Sequence, residues 1–190
     1  MRIEKLKREY DVRVRWVHFP LHPETPPQGI SLDELFGGGA EDPARKARQA
    51  RMKGLMDEQG LPYGERTHSY NSRLAQELGK WAETQPGGEA IHDALFKAYF
   101  VDGRNIGERG VLLDIVKSVG LSAEEAAKVL DERTFQAAVD EDWRASREMG
   151  VTGVPTFAAG GYGVVGAQPY DVLEKLVASA GAQARKNQGQ

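Results

Sequence analysis

The sequence predicts an α/β fold in which a large helical insertion separates two small groups of strands and helices. Residues 1–36 start with a helical pattern and continue with a strand-like one. Residues 40–149 repeat apolar side chains at the helical period of about 3.6. At Thr156 the period changes to 2, which is typical of strands. We therefore predict three strands and two helices arranged around an all-helical block.

The N-terminal region predicts one helix followed by one strand. Ile3, Leu6 and Tyr10 lie at helical spacing within residues 1–10, with charged residues between them. Residues 12–19 are rich in β-branched and aromatic side chains that alternate with polar ones, so we expect a strand. The proline that follows cannot donate a ladder hydrogen bond and should end this strand.

Capping residues mark where the helices of the central block begin. Ser31 and Glu34 have capping-box spacing before a short helix, which the glycines at 37–39 should end. Asp42 before Pro43 is typical of an N-cap and a first helical position. Six further helices are expected at about 42–59, 71–82, 88–101, 108–119, 122–130 and 132–149, of which the one at 122–130 is short.

The C-terminal region predicts a β-hairpin and a last helix. Thr156–Ala159 and Tyr162–Val165 have strand composition, and Gly160-Gly161 between them suits a two-residue hairpin turn. Pro169 opens a helix with an apolar face. Residues 181–190 form a polar tail that we expect to fray.

Composition narrows the class of protein. Of the 190 residues 40% are hydrophobic, which is enough for a core, and the net charge of -3 gives no basic excess for nucleic acid or an anionic membrane. No apolar run approaches the roughly 20 residues of a membrane helix. The charged first ten residues lack the apolar core of a signal peptide, so a cytoplasmic location is expected. The absence of cysteine excludes disulfides and thiolate metal sites within this chain.

The Val154-Pro155 bond is the strongest candidate for a functional feature. It follows a long helix and precedes a strand, where a proline can be cis at a cost of about 0.5–1 kcal/mol over trans. A cis bond would turn the backbone of Val154 outward to pair with an extended peptide or a glutathione-like thiol. The alternative is an ordinary trans proline that leads into an edge strand.

The remaining patterns are interpreted as structural. Gly161-Tyr-Gly163-Val-Val-Gly166 matches a dinucleotide fingerprint by its letters, but strand residues separate the glycines and no helix opens there. The histidines lack zinc-ligand spacing, so no metal site is expected. The acidic residues at 140–142 are expected on a solvated helix face. Asn71-Ser72 should cap a helix, and a position facing the substrate cleft is the weaker alternative.

Several short segments match the pattern of one known family, and they run in order from about residue 3 to residue 178. They are Phe19-Pro20-Leu21, Asn71-Ser72-Arg73-Leu74-Ala75, Ala94-Leu95-Phe96-Lys97-Ala98-Tyr99-Phe100, Asn105-Ile106-Gly107, Gly150-Val151-Thr152-Gly153-Val154-Pro155-Thr156-Phe157 and Gly166-Ala167-Gln168-Pro169. Together they resemble the DsbA-like thioredoxin-fold family, in particular its cytoplasmic FrnE-type oxidoreductases.

The resemblance implies a thioredoxin-like α/β fold with a large all-helical insertion. Residues 1–36 and 150–180 would form the two thioredoxin-like half-domains, and residues 40–149 the inserted helical domain. The family starts with a strand and places Cys-x-x-Cys at the start of the first helix. This chain starts inside that helix, so we expect that the first strand and the nucleophile motif are missing and that the chain is N-terminally truncated.

The resemblance also implies a substrate site without a nucleophile. No catalytic residue is expected in this chain, whereas Val154, Pro155, Thr156 and Asn71 would bind substrate. The expected partner is a thiol or peptide substrate, with glutathione as a candidate co-substrate and no other cofactor. A homodimer is a further expectation, because a missing strand leaves a sheet edge exposed.

Three functions stay open at this point. The first is a DsbA/FrnE-like oxidoreductase that is redox-inactive as written, because it has no cysteine. The second is a non-catalytic, thioredoxin-like peptide-binding module. The third is a relative of the glutathione-dependent 2-hydroxychromene-2-carboxylate isomerases and kappa-class transferases, which use serine where the oxidoreductases use cysteine. Whether the chain is an enzyme is therefore not decided by its sequence.

Overall fold

The computed structural model describes residues 2–37 and 42–185, and these contain nine helices and four short strands. The helices are α1 (Arg2–Glu9), α2 (Leu32–Phe36), α3 (Pro43–Glu58), α4 (Arg73–Ala82), α5 (Ala90–Phe100), α6 (Arg109–Ser118), α7 (Ala123–Glu132), α8 (Gln136–Glu148) and α9 (Tyr170–Ser179). The strands are β1 (Ile30–Ser31), β2 (His68–Ser69), β3 (Thr156–Ala159) and β4 (Tyr162–Val165). No helix among these residues is both long and apolar enough to cross a membrane.

The chain divides into two compact units, each with its own apolar core. Unit 1 consists of Met1–Leu21 and Asp142–Gln190, and unit 2 of His22–Glu141. The predicted half-domains 1–36 and 150–180 and the predicted insertion 40–149 have other limits: residues 22–36 belong to unit 2, and residues 142–149 to unit 1. The division thus falls inside α8, where the sequence carries no break in its helical pattern.

Unit 1 is built from α1, the β3–β4 hairpin and α9. Leu6 of α1 is buried against Leu173 and Val177 of α9, and Phe157 of β3 packs against the same cluster. The hairpin is antiparallel and pairs Ala159 with Tyr162 next to its Gly160-Gly161 turn. These elements confirm the predicted first helix, hairpin and last helix.

The strand predicted for residues 12–19 is wrong. Residues 11–20 form no strand, and none of the described strands pairs with them. Their backbone contacts are isolated instead: the N–H of Val12 donates to the carbonyl of Tyr10 (3.0 Å), and that of His18 donates to the carboxylate of Asp142 (3.0 Å). An alternating pattern indicates how residues would face in a sheet, but the ladder itself requires a neighbouring strand.

Unit 2 contains most of the buried apolar side chains of the described residues. Leu78, Ile91, Leu112 and Val116 are fully buried in one cluster formed by α4 to α7. A short antiparallel ladder of β1 and β2 pairs Ile30 with Ser69, and the sequence analysis did not predict it. Two-residue strands are too short to show a period of 2, so no pattern could indicate them.

Side-chain capping hydrogen bonds are present at the predicted starts of α2 and α3. The Ser31 hydroxyl accepts the N–H of Glu34 (3.1 Å), and the carboxylate of Glu34 accepts the N–H of Ser31 (3.2 Å), so the capping box is complete. Asp42 accepts the N–H of Ala44 (3.0 Å) at the start of α3. Of the glycines predicted to end α2, those at 38 and 39 lie outside the described residues.

A buried ion-pair network connects three helical segments of unit 2. Glu77 of α4 has no exposed surface and accepts hydrogen bonds from Arg73 Nε (2.7 Å) and from Arg133 Nε (2.7 Å) and Nη2 (2.6 Å). Arg73 also contacts Asp140 of α8 (2.8 Å). Burial acts to raise the pKa of Glu77, but the hydrogen bonds and charges of Arg133 and Arg73 outweigh it and hold the pKa below its usual 4.5.

Candidate functional site

The loop between α8 and β3 carries the predicted substrate-binding residues Val154, Pro155 and Thr156. Helix α8 ends at Glu148. Gly150 follows with a left-handed φ of 69°, and the N–H of Val151 donates back to the carbonyl of Ser146 (3.0 Å). The chain then passes through Gly153 to the Val154–Pro155 peptide bond, which is cis. Three of the four predicted site residues are therefore consecutive and lie in unit 1.

Hydrogen bonds fix the loop on both sides of Val154. The Thr156 hydroxyl donates to the carbonyl of Gly153 (2.7 Å), which closes the loop around Val154 and Pro155. The carbonyl of Pro155 accepts the N–H of Gly166 (2.7 Å), which extends the hairpin ladder by one pair. The sequence did not indicate Gly153 as an acceptor, although a hydroxyl residue three positions after a loop carbonyl is a usual signal for such a bond.

Val154 is left without backbone partners by this arrangement. Neither its N–H nor its C=O forms a hydrogen bond within residues 2–37 and 42–185, and the residue is 51% exposed. A donor and an acceptor on one residue are what an extended peptide needs in order to pair with a protein backbone. Since both neighbours of Val154 are fixed, these two groups are held in place before any ligand arrives.

The first turn of α1 lies at the same end of unit 1 as this loop. Arg2 donates from Nη1 to the carbonyl of Ala167 (3.3 Å), next to Gly166, whose N–H binds Pro155. Gly166 has a left-handed φ of 92°, so the chain turns there between β4 and α9. Gly166-Ala167-Gln168-Pro169 therefore connects the proline loop to the N-terminal end of α1.

Hydrogen bonds of two tyrosines join α1 and the residue after it to α9. Tyr10 donates to Glu174 (2.9 Å), and Tyr170 donates to Glu9. The hydrogen bond to Glu174, followed by burial, raises the pKa of Tyr10. Burial first, and then the bond to Glu9, raises the pKa of Tyr170. Both phenols therefore stay protonated near neutral pH and act as donors that position the helices.

Asn71, the fourth predicted site residue, lies in unit 2 and is held by its own neighbours. Its side-chain oxygen accepts the N–H of Arg73 (2.9 Å) at the start of α4, and its amide donates to the carbonyl of Thr25 (2.7 Å). Asn71 thus joins the loop at Thr25 to the start of α4. Its side chain uses both donor and acceptor on these contacts.

The patterns that were interpreted as structural have mixed outcomes. Gly161 and Gly163 belong to the hairpin turn and β4, so the dinucleotide fingerprint is absent, as predicted. Asp142 is 7% exposed and binds the N–H of His18, so its prediction as part of a solvated helix face is wrong. Side chains at consecutive helix positions point in different directions, and that of Asp142 points inward. Within the described ranges no group of three or more acidic, histidine or cysteine side chains could hold a metal.

One family model and one relative match this chain over most of its length. A family model described as "DSBA-like thioredoxin domain" matches residues 1–178. The protein YwbO of Bacillus subtilis (strain 168), which is itself uncharacterized, is 29% identical over 172 residues, covering 88% of this chain and 82% of that protein.

Two solved structures have a similar fold. The crystal structure of a probable DsbA oxidoreductase from Streptomyces coelicolor has a TM-score of 0.76 at 26% identity, covering 84% of this chain and 71% of the other. A 2-hydroxychromene-2-carboxylate isomerase has a TM-score of 0.68 at 20% identity, covering 95% of this chain and 85% of the other. The second likeness is one of fold alone.

Proposed function

Because this chain belongs to the DsbA-like thioredoxin family, we propose that it binds an extended thiol-containing or peptide substrate along Val154. The observation that carries the proposal is the unpaired N–H and C=O of Val154, fixed between the Thr156–Gly153 and Pro155–Gly166 hydrogen bonds. Backbone pairing of this kind is independent of side-chain sequence, and it suits substrates that share only an extended conformation.

These 190 residues do not supply the group that performs the chemical step of a thiol–disulfide oxidoreductase. The reaction requires a thiolate that attacks a disulfide sulfur, and the chain has no cysteine to supply one. We therefore propose that it contributes the substrate-binding half of a FrnE-type, DsbA-like site and is itself redox-inactive. Thr156 acts as a positioning residue, since its hydroxyl donates to the carbonyl of Gly153.

A fluorescence anisotropy titration tests substrate binding. The probe is a labelled, blocked hexapeptide of serine and asparagine residues around one S-methylated cysteine, which cannot exchange disulfides. Val154→Pro removes the N–H and should weaken binding at least about tenfold, which corresponds to roughly 1.4 kcal/mol. Val154→Ala keeps the N–H and should lose less. Equal affinities for the wild type and Val154→Pro, with both chains folded, would refute the backbone pairing.

Reduced glutathione provides the second arm of this experiment. Its peptide backbone can pair with Val154 as a hexapeptide would, so we propose it as a co-substrate, and it should compete with the labelled peptide. A non-catalytic peptide-binding module would instead bind the hexapeptide and be unaffected by glutathione. Insulin reduction should stay at the rate of a protein-free control in either case, because the chain contributes no thiol.

A further inference from the structure

Arg66 lies in the segment between α3 and β2 of unit 2, and its guanidinium group has no acceptor among the described residues. Its Nε atom is enclosed without a hydrogen-bond partner, whereas its two Nη atoms are not enclosed. The neighbouring Glu65 is exposed and does not pair with it. Because a half-buried arginine is usually held by a carboxylate or by carbonyl oxygens, the donors of Arg66 are unused to an unusual degree.

Aromatic rings hold the guanidinium group of Arg66 in place. Its Cζ atom lies 4.5 Å from the centroid of the Tyr99 ring and 5.3 Å from that of the Phe100 ring. The rings of Tyr99 and Phe100 meet edge to face at 4.8 Å, and Tyr70 packs against Tyr99 at 6.3 Å. A cation–π contact stabilises the charge, but it supplies no acceptor in the plane of the guanidinium group. The positioned N–H groups of Arg66 therefore stay open to a ligand.

A purely structural role for Arg66 at the C-terminal end of α5 would be to bind the last carbonyl groups of that helix. The carbonyl of Phe100 already accepts the N–H of Gly64 (3.0 Å), and that of Ala98 accepts the N–H of Arg104 (2.8 Å). Backbone donors thus satisfy these carbonyls without any contribution from Arg66.

The segment that carries Arg66 is fixed on both sides. Before it, Gly64 lies so close to the end of α5 that an added Cβ would be 2.1 Å from the carbonyl oxygen of Val101. After it, the carbonyl of Thr67 accepts the N–H of Leu32 (2.9 Å) beside the β1–β2 ladder. A ligand would therefore meet an arginine whose backbone is already ordered, which lowers the entropic cost of binding.

The chemistry around Arg66 indicates the class of the ligand. A guanidinium group forms two parallel hydrogen bonds with one carboxylate, and the enclosed Nε leaves the two Nη atoms for this contact. A single guanidinium compensates one negative charge, which favours a monoanion over a phosphate dianion. Phe96, whose ring packs against Phe100 at 6.2 Å, is 50% exposed and adds apolar surface to the cluster. The ligand should therefore combine one carboxylate with an apolar body.

We propose that Arg66 binds the carboxylate of a small organic acid, with the apolar body of the acid against the aromatic cluster of Tyr99, Phe100 and Phe96. The two Nη atoms donate to the two carboxylate oxygens, and no bond is made or broken. Arg66 belongs to unit 2 and Val154 to unit 1, so this site is independent of the proposed function.

An NMR titration of the whole chain with 4-methylpentanoate near neutral pH tests this site. The Nε–Hε signal of Arg66, identified by its loss in Arg66→Gln, should shift saturably with a dissociation constant of about 1 mM or lower, which ligands of this size can reach. The control ligand is 4-methylpentanamide, which has the same shape without the charge. It should bind at least about tenfold more weakly, because the charge-assisted bonds are lost.

Three variants separate the roles of charge and geometry, with binding followed by the amide signals of β2 and the end of α5. Arg66→Gln should weaken binding at least about tenfold. Arg66→Lys keeps the charge but loses the planar fork, so its affinity should lie between those of Arg66→Gln and the wild type. The matched control is Arg51→Gln, which removes the same charge from an exposed position on α3 and should leave affinity within about twofold.

Four results would overturn the proposal. They are the absence of a saturable shift of the Arg66 signal, equal affinities for the acid and its amide, equal affinities for the wild type and a folded Arg66→Gln, and tighter binding of inorganic phosphate than of 4-methylpentanoate. The comparison of the acid with its amide uses the wild-type chain, so it decides even if a variant does not fold. Val154→Pro should bind 4-methylpentanoate as the wild type does, which distinguishes a failure at Arg66 from a failure of the proposed function.

Discussion

Replacing Glu77 by glutamine tests whether the buried ion-pair network stabilises the helical unit. The substitution keeps the size of the side chain and one carbonyl oxygen, but it removes the negative charge that Arg73 and Arg133 share. Glu77 has no exposed surface and accepts three hydrogen bonds of 2.6–2.7 Å from these two guanidinium groups. The variant therefore leaves two arginines without their buried carboxylate.

The expected loss follows from how well each arginine can recover its solvation. Removing one partner of a buried pair costs about 3–5 kcal/mol, chiefly because an uncompensated charge stays buried. The side chain of Arg133 is 39% exposed and can regain water, whereas that of Arg73 is 16% exposed and keeps contacts with Asp140 and with the carbonyl of Gln136. We therefore expect the free energy of unfolding to fall by a value near the lower limit, about 3 kcal/mol.

Urea unfolding followed by far-ultraviolet circular dichroism measures this loss. The matched control is Asp131→Asn, which breaks an Arg–carboxylate pair of similar geometry (2.6 and 2.8 Å to Arg109) whose side chains are about half exposed. The control should leave the urea midpoint close to that of wild type, because exposed pairs are solvated when broken. Equal midpoint shifts for the two variants would refute the argument that burial makes the Glu77 network strong.

The Glu77 network also predicts how the stability of the protein depends on pH. The pKa of Glu77 is lowered in the folded state, so its contribution is complete above the usual value of 4.5 and is lost as the pH falls through the lowered folded value. Wild-type stability should therefore decline below about pH 4.5 more steeply than that of Glu77→Gln. Parallel profiles for the two proteins would contradict this assignment.

Further predictions concern the hairpin, the loop and a buried histidine. Gly160→Ala should destabilise the protein more than Gly161→Ala. Both glycines have a left-handed φ, which costs an alanine about 1–2 kcal/mol. At Gly160, but not at Gly161, an added Cβ would also lie 2.8 Å from Ala180. Thermal melts of the two variants compare them directly. Thr156→Val should cost about 1 kcal/mol in urea unfolding through loss of the bond to Gly153, and an unchanged midpoint would mean that the bond does not hold the loop. Burial lowers the pKa of His92, although the charge of Glu83 acts to raise it. As the pH drops below the usual 6.5, the unfolded chain therefore takes up a proton on His92 before the folded chain does, and stability should fall. His92→Asn should flatten the stability profile between pH 7 and pH 5.5, and an unaltered slope would assign the dependence to other groups.

Local signals in the sequence were sufficient for the helices and the hairpin. Ser31, Asp42 and Ser122 each accept a backbone N–H at a helix start, and such bonds depend only on residues two or three positions away. Gly160 and Gly161 both adopt left-handed φ, as a two-residue turn requires. These features depend on neighbours in the chain, so a pattern can predict them.

Features that depend on distant residues were predicted less well. The pattern of residues 12–19 suits a strand, but a ladder needs a partner that the described chain does not provide. The burial of Asp142 and of Glu77 depends on which helix face meets the rest of the unit, and nothing in the charge pattern distinguishes these residues from exposed acids. At the loop, the sequence indicated Val154 and Pro155, whereas the unpaired backbone of Val154 became visible only with the hydrogen bonds of Gly153 and Gly166 in place.

The central claim is that Val154 offers a prepared backbone site to an extended substrate, and the amide signal of Val154 tests it most directly. In an NMR titration of the wild-type chain with the S-methylated hexapeptide, we expect that signal to shift saturably and its hydrogen exchange to slow as the N–H becomes bonded. The amide of Gly166, already bonded to Pro155, should exchange at an unchanged rate. A Val154 amide that neither shifts nor gains protection while the peptide binds elsewhere would contradict the account.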